Sequence, residues 1–506
     1  MASLTLLGLS LLLLLLVYKY IIVPAFLSPL SKIPNAHFTS PLSTLWIASH
    51  RRNDAAGTRA IYAAHQKHGP AIRLGPNELS ICTPGALRTI YIGGFEKDRW
   101  YLDAFVNFGK QNMVSMLEHK SHSVQKRMVS NLYSKSYLQS SEDLQTVSND
   151  VVLKRFLPIM KSVADNGFEM DVLDFLQAVG MDFTSAYLFG LSNGTDFMND
   201  VKYRQYWIND YQKFKTQLPA ERAGGEVERS CLAMCEAAER FMNNSNSNSE
   251  NPTNDPNHPP TTHPVVYSRL HSSLSTLHSQ HTKPSPGTTT LTAASEMLDH
   301  LIAGHETSGI TLSYLLHHLA QRPDLQSRLR TELLTLSPPP LLAQINTTAD
   351  SNIPTTSLPS PRAIDSLPLL DALLSETLRL HAAAPAQQPR LTPSSPTGTT
   401  IEGYANIPAG VRVSANAYTL HREPSVFPDP EKWIPERWVE ASAGKREEMK
   451  KWFWAFGSGG RMCLGSHFAL QSTLRLSLSL LPSTLFFPFS FSSGHLTALR
   501  RLTGWV

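Results

Sequence analysis

Near the C-terminal end, Phe456-Gly-Ser-Gly-Gly-Arg-Met-Cys-Leu-Gly465 puts one cysteine, one arginine and four glycines into ten residues. A cysteine does chemistry as its thiolate, and a thiolate that ligates iron must be ionised, shielded from water and held by few, well-placed donors. The spacing meets each need. Gly459 and Gly460 permit positive φ in a tight turn whose N–H groups can point at the Cys463 sulfur, and Gly465 withholds a side chain where a following helix must approach a flat ligand. Phe456 can cover the sulfur side with an aromatic face, and Arg461 can reach an anionic group on that ligand. Taken alone, a cysteine beside two glycines is more often a buried small residue.

A second stretch, Ala303-Gly-His-Glu-Thr-Ser308, lies inside an apolar helix expected over Leu291–Leu319. Ala303 and Thr307 stand at i, i+4 and share a face, with Gly304 leaving room beside them for a ligand or a local distortion. The Thr307 hydroxyl can bond to a carbonyl one turn earlier or turn toward a ligand, and Glu306 next to it could relay protons. Phe456, Gly459, Arg461, Cys463 and Gly465 together resemble the haem-binding signature of the cytochrome P450 family, and Ala303–Ser308 is similar to its oxygen-activation motif. The resemblance implies haem b with Cys463 as the axial iron ligand, Arg461 at a propionate, Ala303 and Gly304 beside the haem, and proton handling by Glu306 and Thr307.

Further positions carry the same resemblance. Glu376-Thr-Leu-Arg379 is an E-x-x-R on a helix expected over Leu367–His381. By itself such a pair contributes only about 0–1 kcal/mol at a surface. The family pattern makes it a buried structural network with Arg437, in the segment Phe427–Trp438. His122-Ser-Val-Gln-Lys126-Arg127 occupies the place of a Trp-x-x-x-Arg element, so His122 and Lys126 or Arg127 are expected at the haem propionates, together with Arg390. A basic patch of Lys120, Lys126, Lys445, Arg446, Lys450 and Lys451 would steer an acidic electron donor.

The elements that must position these residues are mostly helical. Helical periodicity covers Lys120–Tyr133, Val151–Val163, Met170–Phe189 and Lys202–Met242, while Ala71–Ile81 reads as two strands around Gly75-Pro76-Asn77, forming a small sheet near the N-terminus. The expected fold is mainly α with a small β region, the α+β cytochrome P450 fold. Leu4 to Val23 is apolar and about long enough to cross a ~30 Å hydrocarbon core. The domain reading is therefore a membrane anchor over 1–24, a proline-containing connector over 25–40 and a haem domain over 41–506. Low-complexity insertions interrupt that domain at about 243–264 and 337–361, and an atypical short segment, 472–506, ends it without clear helical period.

Four irregularly spaced cysteines give no disulfide framework, and Cys231 and Cys235 read as packing residues on a helix. A net charge of +4 over 506 residues, without an aromatic-interleaved basic stripe, argues against nucleic-acid binding. The resemblance implies a monooxygenase of filamentous-fungal style, single-pass in the endoplasmic reticulum membrane with a cytosolic body. It would oxidise a hydrophobic small molecule, of secondary metabolism or xenobiotic, with electrons from NADPH through NADPH-cytochrome P450 reductase; cytochrome b5 is a second donor the family allows. Two alternatives stay open: reductase-independent rearrangement or dehydration on the same fold, and a catalytically impaired haem protein because of the altered C-terminus.

Overall fold

The computed structural model describes residues 2–52, 54–217, 221–222, 224–247, 262–281, 287–337 and 358–480. Most of both insertions, and the C-terminal segment beyond residue 480, lie outside these residues. A central helix, Thr288–Ala320, runs through the molecule for 33 residues, about 50 Å at the usual helical rise. Against it packs Val172–Phe189, which starts where the Asp171 carboxylate accepts from the N–H groups of Leu173 and Asp174, and stops at Gly190 with φ 86°. The second helix is buried almost all round, because other helices cover the faces that the central helix leaves.

Three glycines set the distance between these two helices. A Cβ on Gly180 would stand 2.9 Å from the Gly304 carbonyl oxygen, one on Gly309 would stand 2.6 Å from Gln177 Cγ, and one on Gly304 would collide with the Thr184 side chain. Gly304 therefore serves close helix packing against Thr184 and also lines the smaller cavity described below. The helical expectation over Lys202–Met242 resolves into two helices, Val201–Thr216 and Glu226–Ser247, broken around Gly224 and Gly225. Ser472–Leu480, read as aperiodic, continues the helix that begins at Ser466.

The strands form more than an N-terminal hairpin. β1 (Ala71–Gly75), β2 (Glu78–Ile81) and β3 (Glu96–Lys97) join β4 (Arg390–Leu391) and β7 (Arg412–Ser414) in one sheet of order β1-β2-β7-β4-β3. β5 (Thr399–Ile401) and β6 (Tyr404–Ile407) make a separate hairpin. The sheet ties the N-terminal third to the segment after the E-x-x-R helix, a pairing across more than 300 residues that local patterning does not encode.

At the N-terminus, Thr5–Leu27 is long and apolar enough to cross a membrane by length and composition. Its helical turns pass Pro24 and end at Leu27, three residues into the expected connector.

Buried histidines make the fold acid-sensitive. His65 lies between the Gly69 carbonyl at 2.9 Å and the Ser80 hydroxyl at 2.9 Å, and burial pushes its pKa from 6.5 down to about 4. Below pH 6.5 the unfolded chain takes up a proton that the folded imidazole refuses until about pH 4. Stability from this group is complete above pH 6.5 and falls by roughly 3 kcal/mol on descending through that window. Denaturant unfolding of His65→Asn should show a shallower loss of stability between those pH values than the parent chain; identical slopes would remove His65 as a cause.

Candidate active site

Cys463 stands on the wall of two cavities, of about 330 and about 210 Å³, and the surface its sulfur exposes faces them. Thr307, Ser308, Lys97, Val114, Arg461 and Ala469 belong to both walls. The loop closes on itself where the Cys463 N–H donates to the Phe456 carbonyl at 2.9 Å, and Phe456 lines the larger cavity. Gly457 and Gly459 take positive φ, 69° and 71°, whereas Gly460, expected to do so, does not. A Cβ on Gly459 would overlap the Tyr91 carbonyl, while one on Gly465 would meet open space. Burial raises the Cys463 pKa, while the Gly465 N–H and the Lys126 ammonium favour the thiolate.

The E-x-x-R helix, Pro368–Leu380, buries Glu376 and Arg379 completely. Arg379 Nε and Nη2 donate to the two Glu376 oxygens at 2.9 and 2.8 Å, and Arg437 Nε adds a third charged donor at 3.1 Å. The Ile434 N–H and the Trp438 indole N–H complete the carboxylate's shell, each at 2.9 Å. Arg379 also donates to the carbonyls of His421, Pro430 and Lys432. His421 then carries the connection onward, its Nδ1 2.8 Å from the Arg379 carbonyl and its Nε2 accepting from the Trp454 N–H at 2.7 Å. Trp454 in turn donates its indole N–H to Ser458 Oγ, inside the cysteine loop, at 2.9 Å.

Thr307 faces the cavities and donates its hydroxyl to the Ala303 carbonyl at 2.7 Å; Ala303 lines the smaller cavity. Glu306 does not join it. Its carboxylate turns to the helix Val201–Thr216, accepting from Tyr211 Oη at 2.9 Å and pairing with Lys215 at 3.2 Å, both partners buried. Glu306 lines neither cavity, whereas Thr307 and Ser308 line both. Glu306, expected beside Thr307, is instead placed in an ion pair with Lys215 behind the cavity wall.

The cationic residues separate in the same way. His122 is buried on the wall of the smaller cavity, where burial and the neighbouring cations push its pKa down to about 3. Lys126 donates to the Gly460 and Met462 carbonyls at 2.9 and 3.2 Å, so it braces the cysteine loop. Arg127, one residue on, is exposed and lines neither cavity, which removes it from the site. Arg390 and Arg461 line the larger cavity, and with them stands Lys97, a residue that sequence reasoning missed. Nothing local marks Lys97; only β3–β4 register sets it opposite Arg390. Two like charges directly opposite in a ladder are unfavourable.

On the basic patch, Lys450 and Lys451 pair with Glu447 and Glu448 at 2.8 and 2.9 Å, which leaves a smaller cationic surface than expected.

Lys97, Arg390 and Arg461 decide what the site fits. No carboxylate among the described residues lines the larger cavity to neutralise them. Arg461 donates to the Met116 and Leu117 carbonyls but leaves its buried Nε without a partner, and burial with Arg390 nearby lowers its pKa to about 10. Lys97 is driven well below its ordinary pKa by burial, then by Arg390 and Arg461. Such a cluster calls for a bound anion, and beside an iron-ligating thiolate the two propionates of haem supply one.

The cytochrome P450 family model matches residues 37–490. This chain belongs to the cytochrome P450 family. Among relatives, the cytochrome P450 monooxygenase avaI of Aspergillus versicolor is 28% identical over 433 residues, covering 83% of this chain and 96% of its own length. The cytochrome P450 monooxygenase orf2 of Aspergillus niger is 25% identical over 472 residues, covering 90% and 85%. The chain is thus a P450 monooxygenase of fungal type, and the family implies haem. As in any such P450, the protein's task is to hold the cofactor and shape the cavity beside it.

Two substitutions separate structure from site. Glu376→Gln in this P450 leaves Arg379 and Arg437 buried without their shared counter-charge, at a cost of about 3–5 kcal/mol, and should lose haem loading on purification. Glu306→Gln removes the carboxylate charge that Lys215 pairs with but should keep haem once folded at low temperature. Haem-to-protein absorbance ratios and unfolding midpoints for both variants check this.

Proposed function

We propose that this P450 inserts one atom of dioxygen into a hydrophobic small molecule, of fungal secondary metabolism or xenobiotic, and reduces the other to water. Electrons would come from NADPH through NADPH-cytochrome P450 reductase, with cytochrome b5 as a second donor. One observation carries the reading: Cys463 and Thr307 lie on the walls of the same cavities, beside buried cations that lack counter-charges on the larger cavity's wall. Bound haem would supply oxygen activation, with the thiolate's electron donation favouring O–O cleavage.

The chain's own residues then have distinct tasks. Cys463 holds the iron, Gly465 and Lys126 stabilise its thiolate, and Lys97, Arg390 and Arg461 hold the propionates, with His122 against the cofactor's edge. Gly459 lets the loop pass beneath Tyr91, and Phe456 shields the sulfur. Trp100, Phe105, Val114, Leu374 and Leu378 give the larger cavity an apolar wall that suits a hydrophobic substrate. Thr307 presents a hydroxyl to that space. Glu376, Arg379 and Arg437 form the structural network behind the cysteine loop. Residues 1–24 would anchor the protein in the endoplasmic reticulum membrane and 25–40 connect them to a cytosolic haem domain over 41–506.

The reduced, carbon monoxide-bound difference spectrum tests this reading. The parent chain should give the thiolate-type Soret band, and Cys463→Ser should abolish it; a parent chain that lacks the band would overturn the assignment. The donor surface has its own test. Lys120→Glu combined with Lys445→Glu and Arg446→Glu should slow reductase-driven reduction about tenfold or more at low salt and spare reduction by dithionite. Equal slowing of both would count against docking there.

A further inference from the structure

Behind the larger Cys463 cavity lies another, of about 360 Å³, with a different wall. Ala382 and Pro385 line it, while Ala383, Ala384 and Ala386 line the larger Cys463 cavity. The irregular segment 382–386, between helix Pro368–Leu380 and β4, is therefore a partition with a cavity on each side. The central helix is shared in the same way, with Thr311 on the inner cavity and Tyr314, nearly one turn on, lining the outer one. The helix Asp54–His68 supplies a further side through Thr58 and Arg59.

The outer wall is cationic. Arg59, Arg379 and Arg422 line it with His317, His318 and His381, and no carboxylate among the described residues does. The five N–H groups of Arg379 are all engaged, by Glu376 and by the carbonyls of His421, Pro430 and Lys432. Arg422 uses three of its five, on Glu431 at 2.9 Å and on the Leu380 and Tyr418 carbonyls at 3.1 and 3.4 Å. Arg59 is exposed and makes no hydrogen bond or ion pair among the described residues. His318 and His381 stand end to end, Nε2 to Nε2 at 2.8 Å, with Tyr314 stacked on His381 at 3.8 Å. Burial keeps both imidazoles neutral, pushing the His318 pKa down to about 3. One proton lies between them. The ring that accepts it therefore carries its own proton on Nδ1, and the ring that donates it leaves Nδ1 as an acceptor. Neither outer nitrogen has a hydrogen-bond partner among the described residues. A metal ion does not suit this wall, because no group of three His, Cys, Asp or Glu among the described residues could hold one.

Resting on the monooxygenase reading above for its consequence, we propose that the outer cavity binds a phosphate monoester that also carries hydrogen-bond donors, and that its occupancy is felt in the substrate cavity through the 382–386 partition. The charge is that of a dianion's partner: Arg59 offers all of its N–H groups and Arg422 the two it has left. Size then adds a body to the phosphate, since the outer cavity is larger than the larger Cys463 cavity and far exceeds a bare phosphate. The unpaired imidazole acceptor calls for an N–H or O–H on that body. The partition is tied to the outer wall where the Tyr418 N–H donates to the Pro385 carbonyl at 3.3 Å. A ligand that shifts Ala382 and Pro385 therefore shifts the alanines on the other side, and the coupling runs equally in both directions.

The test uses full-length haem-loaded protein, with adenosine 5′-monophosphate as the probe and adenosine and inorganic phosphate as its two halves. Calorimetry should show the monophosphate binding at one site per chain, with each half at least about tenfold weaker. Arg59→Glu should weaken the monophosphate at least about tenfold. Lys67→Glu, which reverses an exposed charge on the same helix away from the cavity wall, should match the parent. The coupling is read with 4-phenylimidazole, whose ligation of the iron shifts the Soret band. Saturating monophosphate should change its Kd at least about threefold in the parent and leave it unmoved in Arg59→Glu, and saturating 4-phenylimidazole should change the monophosphate Kd by the same factor. A parent chain without the thiolate-type carbon monoxide band fails the monooxygenase reading, and calorimetry on it still decides the outer site. No binding of the monophosphate, equal binding of inorganic phosphate, or equal losses in Arg59→Glu and Lys67→Glu overturns the site. Monophosphate binding that leaves 4-phenylimidazole unmoved overturns the coupling.

Discussion

The fully buried carboxylate of Glu376 is the constraint on which the rest of this structure depends. A charge without water is tolerable only when every lone pair is met, and five donors from Arg379, Arg437, Ile434 and Trp438 do so. The donors come from three places in the chain: the helix itself, the segment at 434 and the short helix Glu436–Val439. Satisfying one carboxylate therefore fixes how those places pack. Arg379 extends the constraint through its carbonyl to His421, and His421 through Trp454 to Ser458. Burial and the flanking arginines hold the His421 pKa at about 3, so the imidazole stays neutral and can donate on one nitrogen while accepting on the other. The cysteine loop inherits its position from that chain of bonds.

On the opposite side of the cavities, the same role falls to close packing without charge. Gly180, Gly304 and Gly309 let the central helix approach Val172–Phe189 closely, and the Gln177 carbonyl 2.9 Å from His305 Nδ1 fixes their register. A wall so placed cannot shift by a fraction of an ångström without collision. Thr307 is held relative to Cys463 by two rigid systems of different kinds, a satisfied ion network and a glycine-lined helix contact.

Much of this was legible in the sequence, and the illegible part has physical reasons. The cysteine loop, the central helix and the E-x-x-R helix could be read because each is a local pattern: glycines at a turn, a long apolar helix, a charged pair at i, i+3. The strands at Ala71–Ile81 were legible for the same reason. Lys97 was not, because its place opposite Arg390 is a matter of strand pairing across nearly 300 residues. Lys126 lines the smaller cavity and has a second contact that its spacing did not announce. Its charge and spacing suit a propionate, and its ammonium also donates to two carbonyls of the cysteine loop. Gly304 looked like room for a ligand; it lines the smaller cavity and also makes room for Thr184. In each case the residue type was right and the partner was set by tertiary packing.

The contrast between Glu306 and Asp299 carries this one step further. Side by side in the sequence, Glu306 and Thr307 invite a joint role, yet a helix separates neighbours by about 100° and unites residues three or four apart. At four-residue steps from Thr307 stand Ala303, Asp299 and Thr311, and of these Asp299 carries a carboxylate, on the wall of the smaller cavity. Glu306, on the adjacent face, meets Lys215 and Tyr211 and so ties the helix Val201–Thr216 to the central helix. Of these two carboxylates, one fastens an element from behind, and the other stands at the cavity.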